Sequence, residues 1–217
     1  MNPIVFWGAT GQARVLRELT CSLGFRLVAL FDNQPGVRSP FDDVPIYYGE
    51  EGFLEWRRGV GAAAVSALVA VGGSRGRERV GLQEMLRRHG VSIATVVHRT
   101  AFVAADAVLG EGSQVLAQAA VCVAARLGRG CIVNTRASVD HECLLGDGVH
   151  VGPGATLSGC VEVGNNAFIG SGAVVLPRIT IGSDSVVGAG AVVTRPVPSG
   201  VMTVGNPARV VKRNKDG

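Results

Sequence analysis

From Val103 to Val193 every sixth residue is Val, Leu or Ile, running Val103, Leu109, Val115, Val121, Leu127 and on through Val187 to Val193 without a break. A period of six is neither the two of a strand nor the 3.6 of a helix. It is what a three-sided coil of short parallel strands requires, with three hexads to a turn. The residues two before each aliphatic are mostly small, among them Ala101, Ser113, Ala125, Cys131, Cys143, Ala155 and Ala173. Both positions therefore point into one narrow prism. Glycine follows the aliphatic at Gly110, Gly128, Gly146, Gly164 and Gly182, and again at Gly152, Gly170 and Gly188, each set spaced by eighteen. That spacing marks the same corner turn after turn, where a residue without Cβ is expected to take a strained φ/ψ. Strand spacing puts successive turns ~4.8 Å apart, so five turns make a rod of about 24 Å.

Before this repeat the chain has a different character, and two folding units with a tail are expected: 1–97, 98–195 and 196–217. The first reads as a small α/β, Rossmann-like βαβαβ unit. Pro3 to Trp7 is a strand that breaks into Gly8-Ala-Thr-Gly11-Gln12-Ala13 and then a helix carrying Val15, Leu16, Leu19 and Leu23. Backbone N–H groups at such a turn suit a phosphate, although tight strand–helix packing explains Gly8 and Gly11 equally well. Leu27 to Phe31 is a second strand ending in Asp32-Asn33; Phe53 to Arg58 is a short helix. Val65 to Val71 is a third strand that leads into Gly72-Gly73-Ser74 and a helix from Arg75 to His89. Strand carboxyl ends form the ligand edge of such a sheet. Ala13 replaces the third glycine of a dinucleotide fingerprint, so a nucleotide or nucleotide sugar fits better than a nicotinamide cofactor.

Composition narrows the class further. No apolar run reaches a bilayer-spanning length, and the mean hydropathy of +0.31 comes from the valine-rich coil. A cytoplasmic protein without membrane contact is expected. The net charge of +4 is spread over Arg75, Arg77, Arg79, Arg87, Arg88 and the tail Lys212, Arg213 and Lys215, without interleaved aromatics. This favours small anionic ligands over nucleic acid. The cysteines Cys21, Cys122, Cys131, Cys143 and Cys160 are odd in number and form no CxxC pair, and Cys131 and Cys143 fall at inward positions as small buried thiols.

His141 follows the inward Val139 by two, which takes it onto a corner or outer face beside Glu142. An exposed imidazole next to a carboxylate is a candidate general base. His141, Glu142 and Cys143 could also be imagined as metal ligands, but a zinc centre of the kind known in some β-helices needs three converging histidines. His98, His141 and His150 lack a spacing that supplies them, and no metal is expected.

Four elements occur together: Gly8-Ala-Thr-Gly11, Asp32-Asn33, the repeat with Val139-Asp-His141-Glu142-Cys143, and Val204-Gly205-Asn206-Pro207-Ala208-Arg209. The combination resembles, over essentially the whole chain, the hexapeptide-repeat nucleotide-sugar N-acetyltransferases that act on 4-amino-4,6-dideoxyhexoses, with their sialic acid O-acetyltransferase relatives. The resemblance implies a left-handed parallel β-helix, acetyl-CoA as co-substrate, a homotrimer, and a role in surface-glycan synthesis. GDP-perosamine is the favoured acceptor, with a UDP-4-amino sugar next. It makes His141 the base and Glu142 the residue that raises its basicity. The nucleotide sugar would lie on Thr10, Gly11, Gln12, Asp32, Asn33 and Gly72. Acetyl-CoA would run along the outside of the β-helix by His150, Ser171, Gly188 and Ala189. Gln12-Ala13 departs from the His-Gly that relatives often carry. Two other readings remain: sialic acid-type O-acetylation, and a non-catalytic β-helix that binds nucleotide sugar as a scaffold.

Overall fold

The computed structural model describes residues 1–60 and 64–213; the end of the basic tail, with Lys215, lies outside them. The chain divides into two compact units, one of Met1–Val71 with Gly81–Ala94, the other of Gly72–Val80 with everything from Thr95 on.

In the first unit β1 (Asn2–Trp7), β2 (Phe25–Asp32), β3 (Ile46–Tyr48), β4 (Ser66–Val69) and β5 (Ser92–Ile93) form a sheet in the order β3-β2-β1-β4-β5. All its pairings are parallel. Helices α1 (Gly11–Ser22) and α2 (Gly49–Val60) belong to this unit, and α3 (Gly76–Arg88) starts in the second unit and continues in this one. Alternation along β1 sends Val5 and Trp7 to one face and Ile4 and Phe6 to the other, and all four are buried, as a parallel sheet covered on both sides requires. Phe31 is the hub of one face. It stacks on Trp7 at 5.5 Å and on Tyr47 at 5.7 Å, and meets Phe53 and Trp56 edge-on at 5.3 and 5.5 Å. The edge strands β3 and β5 carry no sequence expectation, being too short to leave a periodic signal.

In the second unit, two-residue strands begin at Val96 and recur every six residues to Val192–Val193, and each as far as Val174–Val175 pairs in parallel with the strand eighteen residues on. They stack into three walls, giving a parallel β-helix. Wall one carries Phe102–Val103, Ala120–Val121, Ser138–Val139 and their successors, wall two Val108–Leu109 to Thr180–Ile181, and wall three Val96–Val97 to Val186–Val187. Wall three is extended by Val201–Val204 in parallel and by Arg209–Arg213 in antiparallel. The inward positions behave as their pattern requires: Val121, Val139, Leu157 and Val175, with Ala125, Ala155 and Ala173, are fully buried in one continuous core. Among the described residues, no helix is long and apolar enough to cross a membrane.

The corner glycines serve a different purpose from the strain expected of them. Gly110, Gly128, Gly146, Gly164 and Gly182 keep ordinary φ values, and the left-handed φ sits two residues later, at Gly112, Gly130 and Gly148, at Asn166 and at Asp184. What requires glycine is the next coil. A Cβ on Gly128 would lie 2.6 Å from the Asp147 nitrogen and 2.7 Å from the Gly146 carbonyl carbon. At Gly154, by contrast, φ is +65° and a Cβ would meet open space. Gly128→Ala is therefore expected to cost about 1–3 kcal/mol through overpacking, and Gly154→Ala about 1 kcal/mol from the left-handed backbone alone. Thermal unfolding of the two variants checks the order, which would reverse if backbone strain were the reason for the first set.

Candidate active site

The loop after β1 in the first unit is set by close approach. Gly8 has φ +106°, and a Cβ on it would sit 2.5 Å from the Ala70 carbonyl oxygen. Gly8 N–H donates to Phe31 O at 2.7 Å, and Ala70 N–H donates to Trp7 O at 2.6 Å. Gly11 is different: a side chain there would meet nothing within 4 Å, so packing explains Gly8 and leaves Gly11 free for another purpose. Thr10 is the exposed N-cap of α1 and makes no side-chain capping bond. Asp32, at the carboxyl end of β2, accepts from Ala9 N–H through one oxygen and from Gln34 N–H through the other, both at 3.0 Å. Asn33 accepts from the Trp7 indole N–H at 3.2 Å. Thr10, Gly11, Gln12, Asp32 and Asn33 thus share one edge of the sheet. Gly72, the residue after Val71, is counted with the second unit.

In the second unit His141 and Glu142 occupy the corner between walls one and two. Both are exposed, at 48% and 64% of their side-chain surface, and His141 Nδ1 lies 3.1 Å from Glu142 Oε2. A carboxylate only accepts, so the neutral imidazole carries its proton on Nδ1 and keeps its lone pair on Nε2. The backbone fixes this pair from two directions: His141 N–H donates to Asp140 Oδ1 at 2.7 Å, and Glu142 N–H donates to Val123 O on the preceding coil at 2.9 Å. Gly159, one coil on, is a residue that the sequence did not single out. A Cβ there would run into His141 Nε2 and the carbons beside it. Its signal is legible only with the eighteen-residue register in hand, since 159 is 141 plus eighteen.

His150 projects from wall three but is 4% exposed. Its Nδ1 faces Gly73 O at 3.3 Å, its Nε2 faces the Asn134 amide nitrogen at 3.1 Å, and its ring meets Phe168 edge-on at 5.2 Å. A carbonyl on one side and an amide N–H on the other match the neutral Nδ1–H tautomer. Burial, with the Arg79 charge added, pushes its pKa down to about 3. Ser171 and Ala189 are exposed at the corner after wall three, where Gly190 N–H donates to Ser171 O at 2.9 Å, and Gly188 is half-buried beside Val204. Along wall two a groove of about 640 Å³ is lined by Arg126, Leu144, Glu162, Thr180, Ser183 and Ser199 among others.

Arg79, one of the arginines over which the positive charge is spread, does not face solvent. It is fully buried and donates from Nε to Gly130 O and from Nη2 to Gly148 O, both at 2.6 Å. Burial lowers its pKa to about 10, which leaves it charged at neutral pH. The warning lay in its spacing: Arg79, Leu82 and Leu86 form one helical stripe. Cys131 and Cys143 are buried as expected, with thiols pushed up to about 12 and about 11 by burial.

The family described as bacterial transferase hexapeptide (six repeats) matches residues 160–195. No curated protein matches the chain. Among solved structures, the H141N mutant of perosamine N-acetyltransferase from Caulobacter crescentus, in complex with CoA and GDP-perosamine, is 36% identical with a TM-score of 0.88, and the match covers 98% of each chain. The chain belongs to this hexapeptide-repeat N-acetyltransferase family. The acetyltransferase domain of PglB from Neisseria gonorrhoeae FA1090, in complex with acetyl coenzyme A, is 32% identical with a TM-score of 0.85, covering 97% of this chain and 100% of that one. WeeI from Acinetobacter baumannii AYE is 27% identical with a TM-score of 0.80 over 97% of this chain.

The buried His150 makes stability depend on pH in a defined window. Its folded pKa lies below the ordinary 6.5, so its contribution is complete above 6.5 and is lost as pH falls toward 3. At pH 5 the loss is about 2 kcal/mol. Thermal unfolding between pH 7 and pH 4 is expected to show a steeper fall for the parent than for His150→Gln; equal slopes would mean that the ring is accessible to protons in the folded state.

Proposed function

We propose that the protein transfers the acetyl group of acetyl-CoA to the 4-amino group of a nucleotide-linked 4-amino-4,6-dideoxy sugar, with GDP-perosamine the favoured acceptor. The observation that carries this reading is the exposed His141–Glu142 pair, with Nδ1 tied to the carboxylate and Nε2 left as acceptor. As the neutral amine attacks the thioester carbonyl and the C–N bond forms, Nε2 takes the amine proton. The tetrahedral adduct then collapses, the C–S bond breaks, and the departing CoA sulfur takes the proton held on the His141 imidazolium, which restores the neutral base. Glu142 holds the tautomer and offsets the charge that develops on the ring. No covalent enzyme intermediate is required, in keeping with thiols at Cys131 and Cys143 that burial makes poor nucleophiles. Positioning supplies most of the remaining acceleration.

For the acceptor we propose the sheet edge with Thr10, Gly11, Gln12, Asp32 and Asn33; Gly72 is the further residue that the resemblance implies. The uncapped start of α1 and the open space at Gly11 suit a phosphate, and the unit carrying them is read as Rossmann-like. For acetyl-CoA we propose the corner with Ser171, Gly188 and Ala189; His150, which the resemblance also implied, is buried against Gly73 O and the Phe168 ring and offers no surface to the cofactor. A left-handed coil, a homotrimer and a cytoplasmic location complete the reading. The trimer is supported by exposed apolar residues on the coil exterior, including Phe102 at 59%, Val123 at 53% and Val108 at 46%.

Thiol release from acetyl-CoA, measured with GDP-perosamine, a UDP-4-amino-4,6-dideoxy sugar and free sialic acid, tests the reading. Turnover on one nucleotide amino sugar is the expected result. Release only with sialic acid would mean O-acetylation, and silence on all three with retained nucleotide-sugar binding would mean a scaffold. His141→Asn is expected to lower kcat by roughly 10²- to 10⁴-fold while the nucleotide sugar binds as before. Gly159→Ala is expected to lower kcat with an unchanged thermal midpoint, because its methyl group displaces the ring of His141 rather than the coil. Full activity in either variant would remove Nε2 of His141 from the mechanism.

A further inference from the structure

We propose that His141, Glu142 and Cys160 form a binding site for a soft divalent cation of the zinc class. One ligand atom from each lies within 4.8 Å of the others, close enough for a single ion to gather all three. The donor set, an imidazole nitrogen, a carboxylate oxygen and a thiolate, is one that zinc accepts and that hard cations such as magnesium do not select. Glu142 Oε2 is already the shared partner, 3.1 Å from His141 Nδ1 and 3.7 Å from the Cys160 sulfur, so an ion there takes the place of two protons around one oxygen.

The backbone pre-sets this arrangement. Glu142 and Cys160 occupy equivalent corners one coil apart, with φ of 57° and 60°. Cys160 N–H donates to His141 O at 2.9 Å, which ties the two coils at the site itself. His141 and Glu142 are exposed and Cys160 is half-buried, which leaves a fourth coordination position to water. Cys143, the thiol next to Glu142 in sequence, is unsuited, because it turns into the prism and donates to Ser158 O at 3.1 Å.

Occupation has a chemical consequence that rests on the acetyl-transfer reading. A metal on Nδ1 obliges the neutral imidazole to carry its proton on Nε2, and the base is lost. Such an ion is an inhibitor rather than a cofactor.

Cobalt(II) titrated into the purified protein tests the site without reference to activity. One equivalent per chain should give the near-ultraviolet thiolate-to-cobalt band and the visible bands of a tetrahedral ion, and zinc should bleach both. Cys160→Ala should lose the near-ultraviolet band and keep the parent's thermal midpoint; Cys160→Ser serves as the second variant if alanine compromises folding. Absence of the bands in the parent, or their survival in both variants, overturns the site. In the assay, zinc should inhibit the parent at least tenfold more strongly than Cys160→Ala, with reversal by a chelator, and equal inhibition overturns the link to turnover. A parent that binds cobalt yet acetylates none of the acceptors would sink the catalytic reading and leave the metal site standing. An active parent without the bands would do the opposite.

Discussion

The eighteen-residue stacking register governs everything in the second unit. Each coil hangs from the next by backbone bonds such as Ala120 N–H to Ala137 O and Ser138 N–H to Ala155 O, both at 2.9 Å. Side chains at one corner therefore repeat at the spacing of hydrogen-bonded strands, about 4.8 Å, and any two residues eighteen apart are neighbours. Glycine is required where one coil's backbone presses on the next, as at Gly128 over Gly146 and Asp147. The site follows from the same rule: His141 lies against Gly159, and Glu142 lies beside Cys160. A one-residue slip would scatter the site and turn the core outward together.

The register also creates acceptors that something must satisfy. At the corner following wall two the ladder uses Arg129 O, which accepts from Gly148 N–H at 2.8 Å, while the carbonyls of Gly130 and Gly148 turn toward Arg79. A guanidinium presents several donors in a rigid fork, so one arginine reaches two coils at once. The stretch Gly72–Val80 is held to the coil at several points: Arg79 on those carbonyls, Arg77 on Asp184 at 3.0 Å, and Gly73 O on the ring of His150. Gly76 has no room for a Cβ against Gly148 O. Burying a cation is costly, and the hydrogen bonds from Nε and Nη2 to the two carbonyls offset part of that cost. Through these contacts the segment belongs to the same compact unit as the β-helix, although it follows β4 in sequence.

What the sequence made legible follows from which interactions are periodic. A period of six states which residues point inward, and the core from Val115 to Val201 obeys it. The exposure of His141 and Glu142 followed from counting outward from Val139. The attachment of Gly72–Val80 to the coil was not legible, because it depends on one arginine reaching carbonyls fifty-one and sixty-nine residues away. Nor was the purpose of the corner glycines. Strain and close approach both select glycine, and only the next coil's backbone separates them. Gly159 was not singled out and Cys160 was read only as one of five unpaired cysteines for a related reason: their contacts are with residues one turn back, which a linear reading of neighbours does not reach.

The left-handed backbone at Glu142 invites the inference that strain marks the site, and the rest of the coil argues against it. Gln118, Ala124, Arg136, Arg178 and Asp184 adopt the same φ, between 56° and 60°, at equivalent corners. Positive φ here is a property of the corner, tolerated at about 1–2 kcal/mol each because the coil cannot turn otherwise. What sets position 142 apart is its side chain. Its oxygen Oε2 is within reach of an imidazole on its own coil and of a thiol on the next, whereas Ala124 at the preceding corner offers no polar atom beyond its backbone. The fold supplies a row of similar corners, and at this one adjacent coils present an imidazole, a carboxylate and a thiol within 4.8 Å of one another.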